Sequence, residues 1–210
     1  MGVVERNISV EVTTCGIPFV VVDNFFAGHE KKKLQRELEF VRPHMSSPGT
    51  DIKGAHYPDG TSMKHNRSLF LHDFFADPNK STVYNLTRQY YDPVFVSKIC
   101  EGFWPAKYLQ ELPNFVADRI QVLYYEQSNT YDTHVDQAFL TCLYWTHKSP
   151  KKFKGGDIVL GEETLVEFKD NRLLVFPSPT KHRVIPVKMV DGADGYGRYC
   201  VSNFLHLNTL

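Results

Sequence analysis

The second half of the chain consists of short segments rich in apolar and β-branched residues, with turn-forming residues between them. Gly, Pro, Asn and Asp interrupt the series at spacings that are typical of an all-β sandwich or barrel. These features predict a mainly β fold with flanking helices, and a jelly roll as its core. The predicted strands cover Arg119–Tyr125, Tyr131–His134, Phe139–Trp145, Asp157–Leu160, Arg172–Phe176, His182–Val187 and Arg198–Leu207.

The first half of the chain has fewer strand signals and more helical ones. Ile17–Phe26 reads as a strand that enters a helix, and Glu30–Val41 carries a narrow apolar stripe at helical spacing. Pro43–His65 has no periodicity, so we expect a long loop there. The further predicted elements are a strand over Asn66–Leu71 and helices over Asn79–Phe103 and Pro105–Leu112.

Composition limits the domain organisation and the classes of partner. The 210 residues fit a single domain, which we divide into helical support at about 1–113 and a jelly-roll core at about 114–210. Lys plus Arg equals Asp plus Glu at 24 each, and a net charge of zero disfavours a nucleic-acid partner. Four cysteines without close pairing predict a reducing, cytoplasmic location or inert core thiols. The sequence shows no signal peptide or membrane span.

Metal-binding residues recur in order along the predicted strands. His134 and Asp136 are two residues apart, and such positions on a strand share one face. His182 follows further along the chain. Two histidines and one carboxylate are the facial set of ligands that holds non-heme Fe(II) and leaves positions open. We therefore predict a metal site at His134, Asp136 and His182. We expect the loop histidines His44, His56 and His65 to be solvated and not metal-bound.

Arg198 begins the last predicted strand. Alternation places it on one face with Cys200, Ser202 and Phe204. If that face points inward, the guanidinium lies inside the barrel mouth, where a charge without an anionic partner is costly. A substrate carboxylate would supply that partner.

Several runs of sequence, taken in order, resemble a known family. These runs are YYEQSNTYDTHVD, TCLYW, GGDIVL, RLLVFP, KHRVIPV and GRYCVSNFL. They are similar to the 2-oxoglutarate and Fe(II)-dependent dioxygenases of the prolyl 4-hydroxylase type. The resemblance covers roughly the C-terminal half of the chain, from Ile120 to the end, and also touches the N-terminal run IPFVVVDNFF. The resemblance implies a double-stranded β-helix, which is a jelly roll, with supporting helices before it.

The resemblance also implies roles for individual residues. His134, Asp136 and His182 would hold Fe(II), and Arg198 would pair with the distal carboxylate of 2-oxoglutarate. Lys188 is the alternative to Arg198, because a Gly-rich stretch separates His182 from Arg198. The cosubstrate pocket would be lined by Tyr131, Trp145, Thr141 and either Tyr125 or Tyr124, of which strand alternation allows only one to point inward.

The implied activity is hydroxylation of a C–H bond with consumption of 2-oxoglutarate and O2 and release of succinate and CO2. Ascorbate is a further candidate cofactor. A prolyl residue in a peptide or protein is the first substrate candidate. The same chemistry on a free amino acid, another small molecule or an alkylated base is an alternative. A catalytically silent binding module and a Zn(II) hydrolase are two more. The oligomeric state stays open.

Overall fold

The computed structural model describes residues 5–100, 115–191 and 193–207. Its strands form two main antiparallel sheets, one with the order β1-β2-β11-β7-β14-β5-β4 and one with the order β10-β9-β12-β6-β3, and a small pair β13-β8. The two main sheets make up the jelly roll. The strands are β1 (Asn7–Val12), β2 (Pro18–Asp23), β3 (Lys64–His65), β4 (Arg67–Phe70), β5 (Phe115–Tyr125), β6 (Thr130–His134), β7 (Leu140–His147), β8 (Phe153–Lys154), β9 (Ile158–Leu160), β10 (Thr164–Val166), β11 (Arg172–Pro177), β12 (His182–Val184), β13 (Lys188–Met189) and β14 (Arg198–Leu207).

Helices occur in the first half of the chain, as the sequence predicts. The long helix α1 (Gly28–Val41) buries Leu34, Leu38 and Val41, which form the predicted apolar stripe. The shorter helices are α2 (Leu71–Phe74), α3 (Thr82–Thr87) and α4 (Pro93–Cys100), with 3-10 turns at Arg42–His44, Pro78–Lys80 and Arg88–Tyr91. These helices bury their apolar side chains in one cluster with the outer face of the larger sheet.

The prediction of one continuous helix over Asn79–Phe103 is wrong. The short helices α3 and α4 replace it, separated by the 3-10 turn Arg88–Tyr91 and by Asp92. Pro93 begins α4, because it has no backbone N–H and disfavours a helical residue before it. The predicted helix Pro105–Leu112 lies outside the described residues. The strand β1, which extends the larger sheet beyond β2, was not predicted. The division into support and core stays a prediction, although strands from residues 5–100 join both main sheets.

The two faces of the larger sheet bury different side chains. One face packs against the helices, with Tyr124, Tyr144 and Tyr199 among the buried residues. The other face looks into the jelly roll, where Tyr125 and Trp145 belong to a second buried cluster. Because successive strand residues point to opposite faces, neighbours in the sequence such as Tyr124 and Tyr125 serve different environments. The candidate site lies on the inner face.

Within the described residues, no helix is long and apolar enough to cross a membrane.

Candidate active site

Three potential metal ligands meet between the two main sheets. His134 ends β6 and His182 begins β12, and the two residues face each other directly in the antiparallel pairing of these strands. Asp136 lies just beyond the end of β6, with its carboxylate 3.7 Å from His134 Nε2 and 3.5 Å from His182 Nε2. The ligand atoms of all three residues lie within 4.8 Å of one another. One ion can therefore contact all three side chains.

Both imidazoles are held in the tautomer that a metal needs. His134 Nδ1 lies 2.7 Å from the Asp132 carbonyl and His182 Nδ1 lies 2.9 Å from the Thr180 carbonyl. Because a carbonyl oxygen only accepts, each Nδ1 carries the hydrogen, which leaves the Nε2 lone pair free for a metal. Burial and the neighbouring His182 lower the pKa of His134 to about 3, so its ring stays neutral at ordinary pH.

The Asp136 carboxylate is oriented by hydrogen bonds from outside the triad. Thr141 Oγ1, on β7, donates to Asp136 Oδ2 at 2.7 Å and lies 2.9 Å from Ser178 Oγ. The Asp136 backbone N–H donates to the Ser178 carbonyl at 3.0 Å. These contacts fix the residue although it lies outside a strand, and outer contacts of this kind usually tune metal affinity.

A cavity of about 400 Å³ opens over the triad, and the three ligands form part of its wall. The inward faces of β5 and β14 supply much of its floor. Their side chains are Tyr125, Leu123, Gln121 and Arg119 on β5, and Arg198, Cys200, Ser202, Phe204 and His206 on β14. Sites for small ligands usually occupy such concave spaces of about 300–1,000 Å³.

Arg198 is the charged residue at the inner end of this cavity. Its side chain is fully buried, and its three guanidinium nitrogens have no hydrogen-bond partner among the described residues. The guanidinium carbon lies 4.7 Å from the ring centre of Tyr125, 5.3 Å from that of Trp145 and 5.5 Å from that of Phe168. Aromatic faces stabilise a cation in part, but a buried guanidinium without hydrogen bonds still lacks an anion.

The donor set fits Fe(II), and the unpaired Arg198 fits a carboxylate bound beside it. Comparison with known families agrees with this chemistry. Residues 120–206 match the model of the 2OG-Fe(II) oxygenase superfamily. The resemblance that the sequence indicates is therefore confirmed, and the matched residues include His134, Asp136, His182 and Arg198.

One curated relative is a PKHD-type hydroxylase of Gloeothece citriformis. It is 32% identical over 74 residues, which is 30% of this chain and 34% of the relative. The match thus spans about a third of the relative's length. Among solved structures, a Pseudomonas putida prolyl-4-hydroxylase has 13% identity and a TM-score of 0.59, with 90% of this chain and 92% of that one covered. The viral collagen prolyl hydroxylase of Paramecium Bursaria Chlorella virus-1 has 12% identity and a TM-score of 0.53, with 90% and 96% covered. At this identity the structures establish a shared fold.

The geometry of the cavity distinguishes the alternatives that the sequence left open for two positions. Tyr125 lines the cavity, whereas Tyr124 points to the helical side, where its hydroxyl accepts from the Gly197 backbone N–H at 3.0 Å. Lys188 is exposed on the small β13-β8 pair and does not line the cavity. Arg198 and Tyr125 are therefore the members of each pair that lie with the triad.

Other predicted pocket residues lie in supporting positions. Tyr131 lines the cavity and stacks on His134, with ring centres 3.6 Å apart. Trp145 is fully buried beneath Arg198. Thr141 donates a hydrogen bond to Asp136. Neither Thr141 nor Trp145 lines the cavity itself. The cosubstrate roles of these three residues stay predictions.

Sequence reasoning missed an ion pair beside the triad. Lys64 on β3 is fully buried, and its Nζ contacts Asp51 Oδ2 at 2.5 Å. Ser68 and Gln121 also donate to the Asp51 carboxylate, at 2.5 and 3.3 Å. Burial lowers the pKa of Lys64, while the Lys64 charge helps to hold the pKa of Asp51 below its usual value. The ion pair anchors the loop that the sequence analysis describes as aperiodic.

That anchored loop also contacts the strand of the first metal ligand. The Ala55 backbone N–H donates to Tyr131 Oη at 3.1 Å, and Tyr57 Oη donates to Asp132 Oδ2 at 2.8 Å. His65 Nε2 lies 3.3 Å from the same Asp132 oxygen. The loop is therefore one wall of the site. Lys64 lies in the largely polar run SMKHNR, which gives no signal of burial, and nothing in the sequence identifies its partner thirteen residues earlier.

Proposed function

We propose that this protein is a 2-oxoglutarate-dependent Fe(II) dioxygenase that hydroxylates a C–H bond of its substrate and releases succinate and CO2. The observation that carries the proposal is the buried, unpaired guanidinium of Arg198 in the same cavity as the triad. A binding module without chemistry has no need of both features. The family match to residues 120–206 supports an enzyme of this type.

Each residue has a defined task in this proposal. The Nε2 atoms of His134 and His182 and the carboxylate of Asp136 would hold Fe(II), which when bound supplies the oxygen chemistry. Arg198 would bind the distal carboxylate of 2-oxoglutarate through paired N–H donors. Tyr125 forms the wall beside that carboxylate, and its pKa is raised by burial, so its hydroxyl stays protonated and available as a donor.

Prolyl residues of peptides or proteins are the first substrate class to test. Support comes from the curated PKHD-type hydroxylase, which shares sequence with about a third of this chain, and from the sequence resemblance to prolyl 4-hydroxylases. The competing proposal is a small-molecule substrate, and the modest cavity of about 400 Å³ favours it, because the cosubstrate must occupy part of that space. Ascorbate would serve as a reductant that keeps the iron in the Fe(II) state.

The proposal is tested by incubating purified protein with Fe(II), 2-oxoglutarate, ascorbate and air. Succinate should form, and a panel of proline-containing peptides and amino acids should include a member that gains the mass of one oxygen atom. His182→Ala should abolish both signals, since it removes a metal ligand. Succinate formation that persists undiminished in His182→Ala, or none in the wild-type protein after verified iron loading, would contradict the proposal. Hydrolysis of a substrate by the protein loaded with Zn(II) alone would favour the hydrolase alternative.

A further inference from the structure

The cavity has a second cationic end, opposite Arg198. On β14, Arg198 pairs with Tyr125 of β5, and Phe204 pairs with Arg119 of β5. Six residues separate Arg198 from Phe204, which corresponds to roughly 20 Å along a strand. The side chains of Arg119 and Arg198 line the same cavity from these two ends.

The Arg119 end lies level with the metal triad. Phe204 pairs with Thr141 on its other side, and Thr141 holds the carboxylate of Asp136. Thr141, Phe204 and Arg119 thus form one row across three neighbouring strands. With strands about 4.8 Å apart, the Cα atoms of Thr141 and Arg119 are roughly 10 Å apart. A molecule of amino-acid size can span the distance between the triad and the long side chain of Arg119.

The surroundings of Arg119 give its guanidinium no direct ion pair among the described side chains. Its guanidinium carbon lies 5.2 Å from the ring centre of Phe70, and Lys53 Nζ lies 5.5 Å from the same centre. Lys53 is paired with Asp73 at 2.5 Å. Arg119 forms no ion pair within residues 5–100, 115–191 and 193–207, and its side chain is exposed. Phe70 lies against Arg119 at the cavity mouth, and the Asp73 carboxylate, which pairs directly with Lys53, also interacts with the Arg119 charge over a longer distance.

A count of the charges around the cavity with iron and 2-oxoglutarate bound also points to Arg119. Among the described residues that line the cavity, Asp136 is the one carboxylate, whereas Arg198, Arg119 and Lys53 are cations. The two negative charges of 2-oxoglutarate, together with Asp136, would balance Fe(II) and Arg198. Asp73 balances Lys53. Lys53 and Arg119 thus share one nearby carboxylate, which Lys53 contacts directly, and the excess positive charge at the mouth favours an anionic group on the substrate.

We propose that the substrate carries a carboxylate that Arg119 binds at the mouth of the cavity while the reacting carbon faces the triad. This inference rests on the proposed function and narrows its substrate class to small carboxylic acids of amino-acid size. A guanidinium can grip a carboxylate through two N–H donors, which fixes both position and orientation. Free amino acids and the carboxyl-terminal residue of a short peptide offer this group. A prolyl residue inside a long chain does not.

The test uses two pairs of compounds that differ in the carboxylate alone and one pair of peptides that places the proline at a free carboxyl terminus or inside a capped chain. L-Proline is compared with L-prolinamide, N-acetyl-L-proline with its amide, and glycyl-L-proline with a capped peptide that contains an internal proline. The other protein amino acids complete the panel. Succinate formation measures turnover, and calorimetry on the anaerobic protein loaded with iron and 2-oxoglutarate measures binding directly. At least one acid should bind and stimulate succinate formation, with its amide at least ten-fold weaker.

Two variants assign the effect to Arg119. Arg119→Gln should lower kcat/KM for the acid by at least ten-fold and remove the preference for acid over amide. Arg36→Gln makes the same charge change at an exposed position of α1 and should change neither. The two peptide arms separate the sources of the carboxylate: glycyl-L-proline as the best member indicates a chain terminus, and a free acid as the best member indicates a metabolite.

Three results would overturn the inference. They are equal or better stimulation by amides or by the capped peptide, an unchanged acid preference in Arg119→Gln, and failure of every acid in the panel to bind or stimulate although 2-oxoglutarate binds. Absence of 2-oxoglutarate binding in the iron-loaded protein is a different result, because it would overturn the proposed function together with this inference.

Discussion

Gly156 packs directly against the side chain of Arg198. A Cβ atom at position 156 would lie 2.7 Å from Arg198 Cδ and 3.1 Å from Val187 Cγ2, and the residue has a φ of +76°. Position 156 therefore needs glycine for two reasons: the backbone has a positive φ, and a Cβ atom would collide with the Arg198 side chain. The missing side chain of Gly156 leaves the space that Arg198 occupies at the inner end of the cavity.

We predict that Gly156→Ala weakens 2-oxoglutarate binding by about ten-fold, because the new methyl group displaces the guanidinium that would bind it. Calorimetric titration of the iron-loaded protein measures the effect. Gly49→Ala is the matched control, since Gly49 has nearly the same φ of +77° and open space around it. Both variants carry the backbone strain of a left-handed alanine. Equal 2-oxoglutarate affinity in Gly156→Ala and Gly49→Ala would show that Gly156 does not determine the position of Arg198.

Thr141→Val should lower iron affinity by about ten- to a hundred-fold with little change in shape, because it removes the hydroxyl that donates to the Asp136 carboxylate. Competition with a metal-sensitive dye gives the affinity. Thr146→Val, on the same strand but bonded to Asp170, changes stability and leaves iron affinity at the wild-type value. The prediction fails if the two variants bind iron equally well.

Lys64→Met should destabilise the fold by about 3–5 kcal/mol, because it leaves the Asp51 carboxylate without its charged partner beside the site. Urea unfolding followed by circular dichroism measures the loss. The double variant Lys64→Met with Asp51→Leu removes both charges and should recover a large part of it. Losses that simply add in the double variant would mean that the two residues act independently.

Acid should destabilise the metal-free protein in part through His134. Its pKa in the folded protein is about 3, against an ordinary value of 6.5. Between these two values His134 is protonated in the unfolded chain and neutral in the folded protein. The contribution of His134 to the free energy of unfolding is therefore lost as the pH falls from about 6.5 towards 3. Urea unfolding at a series of pH values should show a shallower loss for His134→Gln than for the wild-type protein. Parallel pH dependence in the two would contradict the assigned shift.

Sequence reasoning reached the strands of the core and the order of the triad because both depend on local pattern. The alternation of side chains explains why Arg198, Cys200 and Ser202 share a face of β14. It does not explain Asp136, which lies beyond the end of β6 and is oriented by Thr141 and Ser178. Contacts between distant segments decide such positions, and one sequence does not contain them.

The same limit applies to the choice between Tyr124 and Tyr125. Alternation states that one of them points inward, but the choice depends on how β5 pairs with β14, where Tyr125 lies opposite Arg198. The Lys64 and Asp51 pair also joins a strand to a loop that has no periodic pattern. In each case tertiary packing, rather than local preference, fixes the side chain.

The most direct test of the proposed site is an anaerobic titration of the iron-loaded protein with 2-oxoglutarate, followed through the weak visible charge-transfer band of the chelate. The wild-type protein should develop the band and saturate. Arg198→Gln should bind iron normally and need at least ten-fold more 2-oxoglutarate, while Lys188→Gln should match the wild-type protein. No band in the wild-type protein, or a loss of affinity in Lys188→Gln but not in Arg198→Gln, would contradict the assignment of this cavity.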